Sequence, residues 1–165
     1  MGKTLVSYFS ATGATKRLAQ KIAKTIDADI FEIQPSIKYT NEDLRWPSRG
    51  NRSCIEMKNR KYRPGILNKI DNIDEYDEIF LGFPVWYYTA PTIINTFIEQ
   101  NDLIGKAIYI FVTSGVNSVD KSIIDLQKTY PEICFISGKR FSGVFYPKEV
   151  FRWINYNEGC YVLKN

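Results

Sequence analysis

The sequence contains no histidine, which removes several kinds of catalytic site at once. A histidine general base, a Ser–His or Cys–His nucleophile pair and a histidine-ligated zinc ion are all excluded. Only three cysteines are present, they are widely spaced, and no CxxC motif occurs. This pattern argues against a metal knuckle or a thioredoxin-like motif and is typical of a reducing compartment. We therefore predict no catalytic side chain and no metal site, and expect a bound cofactor to supply any chemistry.

Long apolar runs are also missing, since none approaches the ~18 residues that a membrane span requires. The first ten residues carry one lysine and a short apolar run, so we expect no signal peptide, no membrane association and a cytoplasmic location. Apolar residues make up 44% of the chain and charged residues 24%, as in globular proteins. The length of 165 residues predicts one domain over residues 1–165.

Positive charge is concentrated in one segment. The net charge is +4, but residues 41–69 alone hold eight Lys or Arg against three carboxylates. Five carboxylates follow within residues 71–78. A nucleic-acid surface is one interpretation of such a segment. We favour a solvated loop with counter-charges nearby, and we expect no nucleic-acid partner.

Short apolar runs alternate with segments of helical periodicity along most of the chain. Near-continuous apolar runs are typical of strands that are covered on both faces. The alternation predicts an α/β fold: a three-layer, doubly wound, five-stranded parallel sheet. The predicted strands are centred on residues 5–9, 30–33, 79–83, 107–112 and 133–136.

Two further predictions concern the end of the chain and its long connection. Val150, Phe151 and Ile154 indicate a last short helix after Pro147, and Cys134 lies in an apolar run typical of the core. Residues 34–71 hold no strong strand pattern and at most short helical pieces. A connection of this length in a compact domain is usually functional, unless an element has been missed.

Ligands of doubly wound sheets bind beyond the carboxyl ends of the strands, so we expect ligand contacts in the loops there. Residues 10–15 offer three hydroxyls, a glycine and the start of a helix, whose free amides attract an anion. The loop lacks a P-loop lysine and the GxGxxG spacing, which favours a phosphate monoester over a nucleoside triphosphate or dinucleotide. The alternative is an ordinary helix cap with spare hydroxyls.

The next two loops are aromatic and polar, respectively. Trp86, Tyr87 and Tyr88 are difficult to bury together, which suggests stacking on a flat ligand, although they could also simply cap the core. Residues 113–118 are small and polar, and could bring amides to a planar heterocycle or form a plain turn. Together the three loops indicate a phosphate tail with a flat aromatic head, for which FMN is the obvious candidate.

These stretches resemble a bacterial branch of the flavodoxin family over residues 1 to about 155. The matching motifs are Tyr8–Thr15, Gly82–Tyr87 with Ala90-Pro91, and Thr113-Ser114-Gly115; within the connection they are Asp43–Trp46, Arg52-Ser53, Glu56-Met57 and Arg63-Pro64. The resemblance implies the strand order 2-1-3-4-5 and one non-covalent FMN. It also implies that the flavin, tuned by the protein, carries the chemistry. By position, the phosphate would be held by Ser10, Thr12, Gly13, Ala14 and Thr15. The ring would be lined or stacked on by Pro84, Val85, Trp86 and Tyr87. The far edge of the ring would be contacted by Thr113, Ser114 and Gly115.

Two features depart from the family pattern. Many flavodoxins carry a second stacking ring in the third loop, whereas residues 113–118 have none. One flavin face would then be open to a substrate or covered by Trp46 or Tyr39. Flavodoxins are also typically acidic, whereas this chain is basic.

Three hypotheses follow. The leading one is an FMN-dependent electron carrier that works with redox partner proteins, a reductase and an acceptor. The second is an FMN-dependent NAD(P)H oxidoreductase acting on quinones or similar flat acceptors. The third is a partner scaffold that has lost its flavin, which the hydroxyl-rich first loop and Trp86-Tyr87 disfavour.

Overall fold

The computed structural model describes residues 2–45 and 47–156. Strands and helices alternate through most of this part, as the periodicity predicts. The strands are β1 (Lys3–Tyr8), β2 (Asp29–Glu32), β3 (Tyr76–Pro84), β4 (Ala107–Thr113) and β5 (Cys134–Phe141). The helices are α1 (Ala14–Ile26), α2 (Arg52–Lys58), α3 (Thr92–Gln100), α4 (Asp120–Thr129) and α5 (Pro147–Asn155), with a 3₁₀ turn at Ile73–Glu75.

All five strands form one parallel sheet in the order β2-β1-β3-β4-β5, which confirms the predicted fold. In the centre of the sheet, Val6 of β1 is in register with Ile30 on one side and Phe80 on the other. Because the strands are parallel, all their carboxyl ends lie at one end of the sheet. The loops after β1, β3 and β4 therefore start side by side.

Each face of the sheet is covered by its own apolar layer. Ile93 and Phe97 of α3, with Ile123 of α4, belong to a buried cluster on one face. Leu18 and Ile22 of α1 belong to a second cluster on the other face, together with α5. Helices on both faces explain why the central strands are apolar throughout rather than alternating.

The last helix begins at Pro147, as Val150, Phe151 and Ile154 indicate. Its buried residues are Val150 and Trp153, whereas Phe151 is half exposed. The Trp153 ring packs edge-on against Phe80 and Tyr109, and its Nε1–H donates to Ser137 Oγ at 2.7 Å. The indole has both a large apolar surface and a polar partner here, which favours its burial over that of Phe151.

Two cysteines also have different surroundings from one another. Cys54 on α2 is a buried free thiol. Cys134 is half-buried at the start of β5 and is disulfide-bonded, so the prediction that it is a simple core residue is wrong. The location of Cys134 at the end of a strand, rather than the apolar character of its neighbours, determines how far it is buried.

The long connection is an excursion that returns close to its start. Pro35 and Ile66 form an antiparallel bridge, Ser36 N–H donates to Gly65 O at 2.8 Å, and Leu67 N–H donates to Gln34 O at 2.8 Å. The connection contains one short helix, α2, as expected from its weak periodicity. No helix in residues 2–45 and 47–156 is long and apolar enough to cross a membrane.

Candidate functional site

The loop from β1 to α1 leaves the start of α1 without a side-chain cap. The N-cap residue is Gly13, which has no side chain and adopts a φ of 92°, a conformation that glycine tolerates best. Ser10 Oγ accepts the Gly13 N–H at 3.1 Å, which shapes the turn. The amides of the first helical turn are therefore available to an anion.

The three hydroxyls of this loop have different partners. Ser10 bonds within the loop, and the buried Thr15 hydroxyl lies 2.8 Å from the Thr113 hydroxyl at the end of β4. Thr12 is exposed, and within the described residues its hydroxyl forms no hydrogen bond. Thr12 is thus the hydroxyl best able to bind a ligand, whereas Thr15 joins the first loop to the third.

The chain turns sharply after β3, at the three consecutive aromatics. Trp86 and Thr89 exchange two backbone hydrogen bonds of 3.0 Å, and the two residues between them, Tyr87 and Tyr88, have φ values of 46° and 73°. Positive φ at both central positions is the type I′ geometry, which normally selects Asn-Gly. The left-handed conformation costs about 1–2 kcal/mol for a residue with a side chain. Tertiary contacts must hold this turn in place.

Trp86 provides the first of these contacts. Its ring packs edge-on against Phe9, with centroids 5.6 Å apart, and against Tyr39, with centroids 5.1 Å apart. Val85 N–H donates to Thr113 O at 3.2 Å, which ties the start of the turn to β4. Tyr39 therefore supports the aromatic turn from the side of the long connection. Trp46, the other residue suggested as a cover for an open ligand face, lies outside the described residues.

Tyr39 is itself held by an ion pair on α2. Its hydroxyl donates to Glu56 Oε2 at 2.6 Å, and Arg52 Nε–H donates to Glu56 Oε1 at 2.7 Å. The Arg52 guanidinium lies 3.9 Å from the centroid of the Tyr39 ring. Burial, together with the hydrogen bond to Glu56, raises the pKa of Tyr39, so its phenol stays protonated and donating. The connection is thereby fastened to the turn after β3.

Tyr87 is fastened to the same helix. Burial is the larger cause that raises the pKa of Tyr87 above its ordinary value, and hydrogen bonding to the Cys54 thiol is the second. Its phenol therefore remains neutral at physiological pH. Tyr87 and Cys54 also line one depression, which places the aromatic turn beside α2.

These loops enclose a cavity of about 450 Å³ at the carboxyl end of the sheet. Five predicted site residues line it: Thr12, Pro84, Val85, Trp86 and Tyr87. Six further residues line it that the resemblance did not assign to the cofactor: Ala11, Leu44, Ser53, Tyr88, Val116 and Asn117. Four of them, Ala11, Tyr88, Val116 and Asn117, belong to the three predicted loops. None of these eleven side chains carries a formal charge at neutral pH, so the cavity favours a ligand that brings a flat, largely neutral surface.

The other predicted site residues lie around this cavity rather than on its wall. Ser10 borders a neighbouring depression next to Tyr39, and Gly13 and Thr15 shape the first loop. Ala14 lines a separate groove on the α1 side of the sheet, together with Thr113, Ser114 and Gly115. Their assignment as cofactor contacts stays a prediction.

Ser53 and Leu44 were missed because they belong to the connection, whose path cannot be read from periodicity. A signal was nevertheless present for both, since Asp43–Trp46 and Arg52-Ser53 are among the motifs that resemble the flavodoxin branch. Ser53 is buried on α2, and its N–H donates to Asp43 O at 3.1 Å. That bond folds the connection back toward the cavity.

No cation of the basic segment lines the cavity, and two of its arginines form close ion pairs. Arg52 pairs with Glu56, and Arg63 Nε and Nη2 form a bidentate pair with Glu99. These pairs support the interpretation of a solvated segment with counter-charges nearby. Among the described residues, no group of three or more His, Cys, Asp or Glu side chains could hold a metal ion.

The fold and the cavity together define a doubly wound α/β protein with a ligand site at its topological switch point, between β1 and β3. The sequence profile of a family described as flavodoxin matches residues 3–157. No curated protein sequence matches the chain. With nearly its whole length covered by the profile, the chain belongs to the flavodoxin family.

Solved structures support this assignment. A provisionally assigned flavoprotein from Bacteroides uniformis ATCC 8492 shares 45% identity, with 93% of this chain and 98% of that chain covered and a TM-score of 0.88. One from Bacteroides eggerthii DSM 20697 shares 41% identity, with 94% and 98% covered and a TM-score of 0.92. A flavoprotein from Lactobacillus acidophilus NCFM, crystallised in complex with FMN, shares 26% identity, with 93% and 99% covered and a TM-score of 0.74.

Proposed function

We propose that the cavity at the carboxyl end of the sheet binds FMN non-covalently and that the protein is an electron carrier. The observation that carries this proposal is the convergence of an uncapped helix start and an aromatic turn on one uncharged cavity. The similarity to a flavoprotein crystallised with FMN agrees with it. When bound, FMN would supply the redox chemistry by taking up and releasing one or two electrons.

The first loop fits the phosphate of this cofactor. The amides at the start of α1 have no capping side chain, and the helix dipole favours negative charge there. Thr12 adds an exposed hydroxyl beside them. A dianionic phosphate would thus be bound mainly by backbone N–H groups, which suits a loop that contains no lysine or arginine.

The aromatic turn fits the ring system. Trp86 and Tyr87 line the cavity on the side of β3, and both are held by residues outside it. The lining supplies no carboxylate, lysine or arginine. The chain can therefore bind and shield the ring but has no charged group there to transfer a proton. Without a countercharge, a negatively charged reduced flavin is disfavoured, which would make the reduced protein a strong reductant.

A second candidate function is favoured by the third loop. Val116 and Asn117 of this loop line the cavity, and neither offers a ring to cover a flat ligand. One side of the cofactor would then be accessible to a quinone or a similar flat acceptor. This arrangement favours the alternative of an FMN-dependent NAD(P)H oxidoreductase.

FMN binding is tested first by absorbance and fluorescence titration of the purified protein. Thr12→Val should weaken FMN binding by ~1–3 kcal/mol, because a hydrogen bond to a charged ligand is lost. Thr129→Val on α4 is the matched control and should leave the affinity unchanged, since its hydroxyl bonds Asp125 O far from the loop. Equal affinities for all three proteins would show that Thr12 does not bind the phosphate.

Carrier and enzyme are separated by steady-state oxidation of NADPH with a panel of quinones and no added reductase. The carrier proposal expects no turnover above that of free FMN. Turnover clearly above free FMN would replace it with the oxidoreductase.

The partners and the location are also proposals. We propose that the protein exchanges electrons with a reductase and an acceptor protein, and that it binds no nucleic acid. The cytoplasmic location stays a prediction, and one observation opposes it, because disulfides such as that of Cys134 are rare in cytosolic proteins. Fractionation of the native cells, with the redox state of Cys134 determined in each fraction, would decide it.

A further inference from the structure

Five cations lie beside the cavity at the carboxyl end of the sheet, and we propose that they form a docking surface for an acidic electron-transfer protein. This inference rests on the proposed function and names the kind of partner. We call this surface the basic rim. It consists of Arg17, Lys21, Lys139, Arg140 and Lys148.

The fold brings these residues together from three elements. Arg17 and Lys21 lie one turn apart on α1, so they share a face of that helix. Lys139 and Arg140 end β5, next to β4. Lys148 lies in the first turn of α5. Helices α1 and α5 pack on the same face of the sheet, and Lys139 lies on that face with Phe141. Arg140 points to the other face, because side chains alternate along a strand, and borders the region at the third loop.

Arg140 connects the basic rim to the candidate cofactor loop. Its Nη1 donates to the backbone oxygens of Ser114 at 3.3 Å and Gly115 at 3.0 Å. Val116, which follows these residues, lines the cavity. A protein bound to the basic rim would therefore lie close to the edge of a ligand in that cavity, which electron transfer requires.

The charges of the basic rim are not neutralised within the described part of the chain. None of the five cations forms an ion pair with a described carboxylate. The groove that Arg17 and Lys21 line, of about 520 Å³, contains no acidic residue. The lysines are held instead by aromatic rings: Lys21 lies 5.7 Å from Phe145, Lys139 5.3 Å from Phe141 and Lys148 5.5 Å from Tyr146. Such contacts fix the side chains without cancelling their charge.

Exposed apolar residues lie among these cations. Val116 is 88% exposed, Val144 71% and Tyr146 48%. Apolar side chains within a charged border are typical of transient protein interfaces. Because Val116 and Val144 are exposed as well as bordering depressions, and Tyr146 is half exposed, the surface suits the face of a macromolecule better than a small anion.

Seven exposed carboxylates lie at the opposite end of the sheet, before the strands or at their first residues, together with cations such as Lys3 and Lys106. The carboxylates are Asp27, Asp29, Asp74, Glu75, Asp77, Asp102 and Glu132. Carboxylates also occur at the cavity end, where Glu149 follows Lys148 and Asp120 begins α4. The basic rim is therefore a local patch of positive charge, which attracts an acidic protein at short range.

The test measures binding of an acidic [2Fe–2S] ferredoxin, with basic cytochrome c for comparison, to both the FMN-loaded protein and the flavin-free protein. The affinity for the ferredoxin should fall about tenfold or more between ~0.01 M and ~0.15 M salt, because the Debye length shortens from about 30 Å to about 8 Å. Cytochrome c should bind more weakly than the ferredoxin at low salt. Because flavin-free protein is included, a failure of FMN binding is distinguished from a failure of docking.

Charge reversal locates the surface. Lys21→Glu/Lys148→Glu should weaken ferredoxin binding about tenfold at low salt. The control Lys24→Glu/Lys128→Glu makes the same change in net charge near the opposite end of the sheet, at the last turns of α1 and α4, and should change the affinity less than about twofold. Unfolding curves confirm that both variants are folded. Absence of a complex at low salt, equal effects of the two variants, or tighter binding of a single-stranded RNA oligonucleotide would each overturn the proposal.

Discussion

The hydroxyl of Tyr39 fastens the long connection to the aromatic turn, and its removal should be costly. Glu56 is only 5% exposed and has two donors, the Tyr39 hydroxyl at 2.6 Å and Arg52 Nε–H at 2.7 Å. Tyr39→Phe removes the first and leaves one oxygen of a buried carboxylate without its partner. A hydrogen bond to a charged group contributes ~1.5–3 kcal/mol, and the orphaned acceptor places the loss near ~2 kcal/mol.

For a domain of this length, a loss of ~2 kcal/mol corresponds to a Tm lower by ~4–8 °C. Thermal unfolding followed by circular dichroism and tryptophan fluorescence measures it. Tyr62→Phe is the matched control, since Tyr62 is 45% exposed and should tolerate the change within ~0.5 kcal/mol. A loss below ~0.5 kcal/mol for Tyr39→Phe would refute the role given to this hydrogen bond.

Two variants of Tyr39 distinguish its effect on stability from its effect on ligand binding. Tyr39→Phe keeps the ring that packs against Trp86, so FMN affinity should change little. Tyr39→Ala removes the ring as well, and should lower both the Tm and the FMN affinity because Trp86 loses its support. Unchanged affinity in the alanine variant would show that the connection does not position Trp86.

Three further predictions concern packing, strain and pH. Gly82→Ala should destabilise the protein by ~1–3 kcal/mol in urea unfolding, because a Cβ there would lie 2.0 Å from Phe111 Cζ. The control Gly50→Ala should have little effect, because nothing lies within 4 Å of a Cβ at that position. Tyr88→Gly should stabilise the protein by ~1 kcal/mol, by relieving the φ of 73°, while FMN titration shows weaker binding from loss of a ring that lines the cavity. Burial and a hydrogen bond to Glu99 raise the pKa of Tyr130 to about 12 from an unfolded value of 10.0. The free energy of unfolding should therefore fall as the pH rises between these values, and it should fall less in Tyr130→Phe.

Different results would contradict each of these predictions. Equal urea midpoints for the two alanine variants would show that the β3–β4 packing can adjust to a methyl group. A Tyr88→Gly protein that is less stable than the parent would mean that contacts of the ring outweigh the backbone strain. An alkaline transition that is identical with and without the Tyr130 hydroxyl would exclude this group as its cause.

The α/β architecture was predictable because its signals are local. Apolar runs such as residues 107–112 mark strands buried on both faces, and helical stripes such as Leu18 and Ile22 mark the layers that cover them. A parallel arrangement then places the loops after β1 and β3 at one end of the sheet. The positions of Thr12 and Trp86 at the cavity follow from this reasoning.

Other features needed distant contacts. The sequence indicates that Trp86, Tyr87 and Tyr88 form an unusual aromatic run, but their left-handed turn is supported from the distant connection. Tyr39 packs against Trp86 and donates its hydroxyl to Glu56. The contribution of Ser53 to the cavity depends in the same way on the folded connection.

The sequence by itself determined the order and type of the elements and the end of the sheet at which a ligand binds, because both depend on residues close in the chain. Only the tertiary structure decided which side chains line the cavity, why Trp153 rather than Phe151 is buried, and that cations of α1, β5 and α5 meet beside the cavity. Those outcomes depend on packing and electrostatic contacts between residues tens of positions apart, which no local pattern encodes.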